Sequence, residues 1–283
     1  MRSSGLVDES DHRTSTPEQA RELPPGARHY RAYVGNPASY DTTSVAQFTL
    51  MTALGLREGH TLLDIGCGSL CGGRLFIPYL LADRYFGIEP EVWLVEDGIT
   101  HEVGRDLQRM KRPVFRHVSD FSAAAFGVPF DFVLAQSILT HVSRTQLERC
   151  LEQVSQSLAP EGLFAASFYD DGETMYEGDA WVYPKFASYS VGYVAEKARQ
   201  YGLVAFPLIW TNSYDHYWMV FAREGQAERV SWLGAAAGHP RMVRMLELTR
   251  QLNDANREHG MTRRRLEDAE LELAALRQDK PEL

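Results

Sequence analysis

The chain has 283 residues, of which 44% are hydrophobic and 24% are charged, and its net charge is −9 at pH 7. This composition is typical of a folded globular protein and excludes a wholly disordered or collagen-like chain. An acidic protein repels phosphate backbones, so we expect no nucleic-acid partner. The three cysteines cannot form a disulfide framework, and no apolar stretch is long enough to cross a membrane. The polar N-terminus does not resemble a signal peptide, so we expect a cytoplasmic protein.

Four segments of different character follow one another along the chain. Residues 1–27 are polar and contain Pro24-Pro25, so we expect them to be disordered. Residues 28–225 alternate short apolar runs with amphipathic stretches, which predicts one α/β domain. We predict a linker over residues 226–240 and a long helix over residues 241–283.

The apolar runs of the second segment predict a parallel sheet with helices on both faces. Five runs are predicted as strands: Thr61–Gly66, Arg84–Glu89, Pro113–His117, Phe130–Gln136 and Gly162–Tyr169. The stretch Ser143–Leu158 begins with a capping-box pattern and is predicted as a helix. Two further runs, Leu203–Trp210 and Tyr217–Arg223, are separated by a link too short for a crossover helix. We expect them to form an antiparallel hairpin at one edge of the sheet.

The C-terminal segment carries a heptad pattern that begins at Met245 and runs for about five repeats. His259, Gly260 and Thr262 interrupt the apolar seam in its middle. The pattern predicts either a coiled coil between copies of the chain or one long helix folded back on its own domain. We expect a homo-oligomer formed through this helix, and the second arrangement stays open.

A glycine turn follows the first predicted strand in the segment LLDIGCGS. The strand leads through Asp64 into a turn that contains Gly66, Cys67 and Gly68. Glycines allow a ligand to approach the backbone closely. A helix predicted over Cys71–Leu81 would add free N–H groups and the positive end of its dipole.

Acidic residues follow the next two predicted strands. Glu89 ends the second strand, where a carboxylate can accept hydrogen bonds from both hydroxyls of a ribose. Asp120 and Phe121 follow the third strand and suit an acceptor for an adenine amino group beside an apolar wall. Because the carboxyl ends of parallel strands share one edge of a sheet, these residues predict a ligand crevice at that edge.

Several segments together resemble class I S-adenosylmethionine-dependent methyltransferases: LLDIGCGS, YFGIEPE, Asp120-Phe121, FDFVLAQSILTHV and LAPEGLFAASFY. The resemblance covers most of residues 30–223. Within this family, the chain is most similar to a group of bacterial methyltransferase-domain proteins. The resemblance implies a Rossmann-like doubly wound sheet with a reversed seventh strand, and S-adenosylmethionine as cofactor. It also implies cofactor contacts by Asp64, Gly66, Cys67, Gly68, Glu89, Pro90, Asp120, Phe121 and Gln136. One departure is that Leu70 replaces the usual third glycine.

The candidates for catalysis and acceptor binding lie in connections between predicted elements. His141 follows Gln136 by five residues and is a candidate general base, although a histidine packed at a helix start is the alternative. Aromatic residues of the connection 170–184 and of the hairpin link could wall an acceptor pocket; they are Tyr176, Trp181, Tyr183 and His216. Tyr40 could cover the sulfonium with its ring. We predict a small-molecule acceptor, with methylation on oxygen slightly favoured over methylation on nitrogen, which stays open.

Three other functions remain open at this point. A protein or RNA methyltransferase would show a basic surface or an extra recognition domain, and neither is visible in the sequence. An NAD(P)-dependent oxidoreductase would need glycines at positions 66, 68 and 71, and position 71 is Cys71. A non-catalytic assembly protein would keep the coiled coil and bind no cofactor. Asp170-Asp171 resembles the metal ligands of catechol-type O-methyltransferases, but Gln136 stands where a further carboxylate is required, so we predict no metal.

Overall fold

The computed structural model describes residues 12–170, 175–208, 210 and 216–228. Seven strands of this part of the chain form one sheet in the order β3-β2-β1-β4-β5-β7-β6. The strands are β1 (Leu62–Ile65), β2 (Tyr85–Ile88), β3 (Val114–Arg116), β4 (Phe130–Ala135), β5 (Leu158–Phe168), β6 (Leu203–Leu208) and β7 (Tyr217–Arg223). The α-helices are α1 (Tyr40–Ala53), α2 (Gly73–Tyr79), α3 (Val92–Gly98), α4 (Arg105–Lys111), α5 (Arg144–Ser157) and α6 (Val191–Gln200).

The first five strands run parallel to one another, and β7 runs antiparallel to both β5 and β6. The predicted parallel sheet and the predicted antiparallel hairpin are therefore confirmed. The hairpin does not simply extend the sheet, because its second strand lies inside the sheet and β6 takes the edge.

Alternate residues along the central strands enter two different hydrophobic clusters. Leu63, Val133 and Phe164 belong to one cluster, whereas their neighbours Leu62 and Leu134 belong to the other. A strand shows this division when both faces of its sheet are covered, as in parallel α/β proteins. The apolar runs in the sequence are continuous for this reason.

Helix α5 begins as its sequence predicts. The Ser143 hydroxyl accepts a hydrogen bond from the Gln146 backbone N–H, and the Gln146 side chain accepts one from the Ser143 N–H. This reciprocal capping satisfies two N–H groups that the helix itself leaves unpaired. Leu147, Leu151 and Val154 then recur at helical spacing and are fully buried.

Helix α2 is shorter than predicted. It begins at Gly73 rather than Cys71 and ends at Tyr79 rather than Leu81. The chain first passes through Leu70, which has a left-handed backbone conformation (φ 63°) and a fully buried side chain. The glycine turn is therefore followed by a loop, and the expectation that a helix starts directly behind it is wrong.

The predicted disorder of residues 1–27 is wrong for residues 12–27. Gln19–Glu22 form a turn of 3₁₀ helix that buries Ala20. The Arg13 guanidinium bonds to the Asp97 carboxylate at 2.7 Å and lies 5.2 Å from the Trp93 ring centre. Specific contacts with distant residues, such as those of Arg13, therefore order this polar segment, although it contains few apolar residues.

Other expectations lie partly or wholly outside the described residues. Residues 1–11, most of the 226–240 linker and the whole predicted helix 241–283 are among these. Within the described ranges, no helix combines the length and apolar character that a membrane crossing requires.

Candidate functional site

A cavity of about 390 Å³ opens where β1, β2 and β4 end. Six of the residues predicted to contact a cofactor line it together: Gly66, Gly68, Glu89, Pro90, Phe121 and Gln136. They come from the carboxyl ends of neighbouring strands, which is where open α/β sheets bind ligands.

A smaller cavity of about 60 Å³ adjoins the first and shares Gly66, Gly68 and Gln136 with it. Three more predicted residues line this smaller cavity: Tyr40, Asp64 and Cys67. Of the ten predicted cofactor residues, the structure therefore brings nine to two adjoining cavities.

The turn after β1 depends on its glycines. Gly66 and Gly68 both have positive φ angles, 69° and 51°, which residues with a side chain rarely adopt. A Cβ atom on Gly66 would clash with Ile138, and one on Gly68 would lie 2.8 Å from Val34 Cγ1. The turn is therefore packed closely between two other cavity-lining side chains, with its backbone at the cavity surface.

Glu89 is held in place by the backbone on both sides. Its Oε2 accepts a hydrogen bond from the Gly68 N–H at 3.0 Å, and its Oε1 accepts one from the Glu91 N–H at 2.9 Å. The residue is only 8% exposed, and this burial raises the pKa of its carboxyl above the ordinary value. Each carboxylate oxygen keeps further acceptor capacity, so a fixed pair of acceptors faces a ligand in the cavity.

Asp64 is a buried acid at the smaller cavity. Its carboxylate accepts a hydrogen bond of 2.7 Å from the Tyr85 hydroxyl. Burial raises the pKa of Asp64 to about 7, because removal from water disfavours the charged form. A cationic group beside this carboxylate would be stabilised and would favour its ionised form.

Tyr40 lies between cations of the protein itself. Its ring is 4.6 Å from the Arg31 guanidinium and 5.5 Å from that of Arg74, and both arginines bind Glu102. Its hydroxyl donates to the Ser69 carbonyl at 2.9 Å. The ring already makes cation–π contacts within the protein, so these contacts offer no support for its predicted role as a cover for a sulfonium.

Asp120 is the predicted cofactor residue that lines neither cavity. Its side chain is exposed and accepts a hydrogen bond of 3.1 Å from the Ser122 N–H. Its neighbour Phe121, with φ 58°, is buried and does line the larger cavity. Asp120 thus closes a local turn, and the expectation that it contacts a cofactor is not supported.

His141 is buried and lines the larger cavity. Its Nδ1 is 2.7 Å from the Lys185 carbonyl oxygen, which can only accept, so Nδ1 carries the proton and Nε2 holds a lone pair. Burial lowers the pKa of His141 to about 4, so the ring is neutral at pH 7. The two interpretations of this histidine are compatible, because it is satisfied by a backbone carbonyl and also lines the cavity.

The predicted acceptor residues separate into two groups. Trp181 and Tyr183 line the larger cavity, and their ring centres lie 5.5 Å and 4.9 Å from that of His141. Tyr176 does not line it, because its ring packs on the core and its hydroxyl donates to the Ala180 carbonyl at 3.1 Å. His216 is buried beneath the cavity wall, with Nδ1 3.3 Å from the Ser137 hydroxyl oxygen, and does not line it either.

Several cavity-lining residues were missed in the sequence. Ser137 and Ile138 directly follow Gln136, so extending the strand end by two residues would have found them. Val34 and Arg31 belong to the N-terminal part and carry no local signal, because their contacts are with residues far along the chain.

The described residues show no group of three or more metal-ligating side chains that could hold an ion. Asp170 accepts a hydrogen bond of 3.1 Å from the Val191 N–H at the start of α6. Asp171 lies outside the described residues.

No protein-family model matches the chain. Among solved structures, the magnesium protoporphyrin IX methyltransferase of Synechocystis PCC 6803 with bound S-adenosylhomocysteine overlaps with a TM-score of 0.50 at 13% identity, covering 66% of this chain and 84% of that chain. The same enzyme with bound S-adenosylmethionine overlaps at 0.50 and 14% identity, covering 66% and 81%. A glycopeptide N-methyltransferase complexed with S-adenosylmethionine overlaps at 0.49 and 14% identity, covering 65% and 94%. The sheet order, the reversed β7 and the overlap with the Synechocystis enzyme show that this chain has the class I methyltransferase fold.

Proposed function

We propose that this protein is an S-adenosylmethionine-dependent methyltransferase that methylates a small molecule, on oxygen rather than nitrogen. The observation that carries the proposal is a single cavity that is lined by the glycine turn, by Glu89 and by the neutral His141. The Synechocystis enzyme of similar fold has been crystallised with this cofactor and with its demethylated product, which supports the choice of cofactor.

The side chains around the cavity suit this cofactor better than a dinucleotide. A fixed carboxylate, Glu89, suits ribose hydroxyls, and the buried ring of Phe121 suits a base. None of the described residues that line the larger cavity is a lysine or an arginine, which a pyrophosphate would favour. The loop between Gly66 and α2 also lacks the tight turn into a helix that the dinucleotide fingerprint requires.

S-adenosylmethionine supplies an activated methyl group on a positively charged sulfur. The residues of the chain then have two tasks, which are to align the acceptor and to receive its proton. The cavity walls perform the first by holding both reactants close together. Nε2 of His141 performs the second, because its lone pair is available at every pH above about 4.

We also propose that the acceptor is a small molecule, that the protein acts in the cytoplasm, and that copies associate through residues 241–283. The acidic charge supports the absence of a nucleic-acid partner, and a cavity of about 390 Å³ supports a small acceptor. A non-catalytic assembly protein is the competing function, since the heptad pattern would serve it equally well.

Calorimetric titration of the full-length protein with S-adenosylhomocysteine, NAD⁺ and NADP⁺ tests the proposal. We expect S-adenosylhomocysteine to bind with a dissociation constant on the order of micromolar and to raise the melting temperature by mass action. Binding of a dinucleotide in its place would make the protein an oxidoreductase. Binding of none of the three would favour the assembly protein.

A further inference from the structure

The larger cavity has one end that is built almost entirely of rings. We call Tyr33, His141, Trp181 and Tyr183 the aromatic end of the cavity. His141 contacts Trp181 and Tyr183, and the Tyr183 hydroxyl donates to the Tyr33 carbonyl at 2.7 Å. Trp181 remains 43% exposed, so much of its surface is still available to a ligand.

Two polar atoms of the aromatic end are already engaged within the protein. The Tyr183 hydroxyl donates to Tyr33, and the His141 Nδ1–H donates to the Lys185 carbonyl. Nε2 of His141 makes no hydrogen bond to any of the described residues. It is also absent from the fully buried polar atoms that lack a partner, so part of its surface is accessible. The aromatic end therefore offers a ligand flat apolar surfaces and, at Nε2 of His141, a hydrogen-bond acceptor.

Charge limits the ligand further. The charged side chains among the described residues that line the cavity are Glu89 and Glu91, and both are acidic. An anionic acceptor would meet like charge at these two carboxylates, and none of the described residues that line this cavity is a lysine or an arginine that could balance it. A protonated amine could stack on aromatic rings, but it has no lone pair for attack until it has lost its proton, whereas a hydroxyl oxygen keeps its lone pairs while it is protonated.

The strength of the base separates the remaining hydroxyl acceptors. A phenol loses its proton near pH 10, whereas water and simple alcohols hold theirs about five to six decades more strongly. A weakly basic imidazole assists proton loss from a phenol more effectively, since general-base catalysis follows the difference in acidity. The flat walls favour the same class, because aromatic ligands stack on aromatic side chains.

On the basis of the proposed function, we propose that the methyl acceptor is an uncharged, planar molecule with a phenolic hydroxyl, bound against Trp181 and Tyr183 with that hydroxyl on His141 Nε2. In the transfer, the phenol oxygen forms a bond to the methyl carbon and the carbon–sulfur bond breaks. The electron pair of the broken bond stays on sulfur, and the phenolic proton moves to Nε2.

Four naphthalene derivatives of one shape test the inference by calorimetry on the protein saturated with S-adenosylhomocysteine. They are 2-naphthol, 2-methoxynaphthalene, 2-naphthoate and 2-naphthylmethylammonium. We expect 2-naphthol to bind at least about 10-fold more tightly than the other three, which is about 1.4 kcal/mol. With S-adenosylmethionine, mass spectrometry should then detect conversion of 2-naphthol to its methyl ether.

Variants of the aromatic end provide the matched controls. Trp181→Ala should weaken 2-naphthol binding about 10-fold, whereas Trp181→Phe should keep most of it because a ring remains. His141→Asn should abolish the preference for 2-naphthol over its methyl ether. Both Trp181 variants should fold, since this side chain is substantially exposed.

Tighter binding of the carboxylate or the ammonium compound than of 2-naphthol would overturn the inference, as would equal binding by parent and Trp181→Ala. These results leave cofactor binding in place, so the proposed methyltransferase activity would stand, and tighter binding of the ammonium compound would argue for nitrogen in place of oxygen as the acceptor atom. Failure of the protein to bind S-adenosylhomocysteine at all would refute the proposed function instead.

Discussion

Replacement of Glu89 by glutamine tests the central cofactor contact with the smallest change in shape. In the parent, the Gly68 and Glu91 N–H groups donate to different oxygens of the same carboxylate. Glutamine has one acceptor oxygen, so one of these buried N–H groups faces an amide NH₂ instead. An unsatisfied buried N–H costs about 1–3 kcal/mol of unfolding free energy.

The expected loss of cofactor affinity follows from the same exchange. Hydrogen bonds to a charged group contribute about 1.5–3 kcal/mol and neutral ones about 1 kcal/mol. If both ribose hydroxyls bind Glu89, loss of the charge should weaken binding by about 1–3 kcal/mol, or roughly 5- to 150-fold. Calorimetric titration with S-adenosylhomocysteine measures the affinity, and urea denaturation measures the stability.

Glu91→Gln is the matched control. Glu91 is a second carboxylate at the cavity wall, but its side chain is exposed. We expect less than about 3-fold change in affinity, because an exposed charge is well screened by solvent. Unchanged affinity in Glu89→Gln together with lowered stability would refute our reasoning, and Glu89 would then be a structural residue. Equal losses of cofactor affinity in both variants would indicate that the negative charge acts at long range and that Glu89 makes no direct contact with the cofactor.

Three further predictions concern the histidine, a buried ion network and the tail. His141→Asn should lower turnover by about 10²-fold without loss of cofactor affinity. The pKa of His141 lies near 4 in the folded protein and near 6.5 in the unfolded chain. Below pH 6.5 the unfolded chain therefore binds more protons than the folded protein, and the stability that comes from the neutral ring is lost as the pH falls. The unfolding free energy of the parent minus that of His141→Asn should therefore drop by about 2 kcal/mol between pH 7 and pH 5, and a constant difference would contradict the burial of a neutral ring. Glu102→Ala should lower the unfolding free energy by about 3 kcal/mol, because it leaves Arg31 and Arg74 without their buried carboxylate. Asp41→Ala should cost under about 1 kcal/mol, since the Asp41 side chain is 55% exposed, and similar losses in the two variants would contradict the argument. A chain ending at Gly238 should be smaller in light scattering than the full chain and keep cofactor binding; an unchanged oligomer would place the association elsewhere.

The sheet could be predicted because each strand carries its own signal. Strands such as Phe130–Ala135 are buried on both faces and therefore appear as continuous apolar runs. Such a run can be identified in the sequence without knowing which strands it pairs with. The glycine turn and Glu89 also follow strand ends directly. Parallel strands bring those ends together, so these residues could be placed in one crevice from their order alone.

The remaining parts of the site depend on contacts between distant residues. The segment 12–27 is held by Arg13, whose partner Asp97 lies 84 positions later. Tyr176 and Trp181 look equivalent in the sequence, but the Tyr176 hydroxyl is engaged by Ala180 and the Trp181 ring is not buried. Asp120 and Phe121 are neighbours with opposite environments, set by the backbone angle at one residue. None of these differences leaves a pattern in the local sequence.

The place of β7 inside the sheet has a consequence for synthesis of the chain. Until Tyr217–Arg223 has left the ribosome, β5 has no neighbour on one side, and the backbone of Leu163–Phe168 is an open edge. Side chains along this edge are apolar, and an open apolar edge is a template for pairing with another chain. A ribosome that stops before residue 217 would therefore release a chain prone to aggregation. The last strand to be made covers the edge of β5 and joins β6 to the sheet.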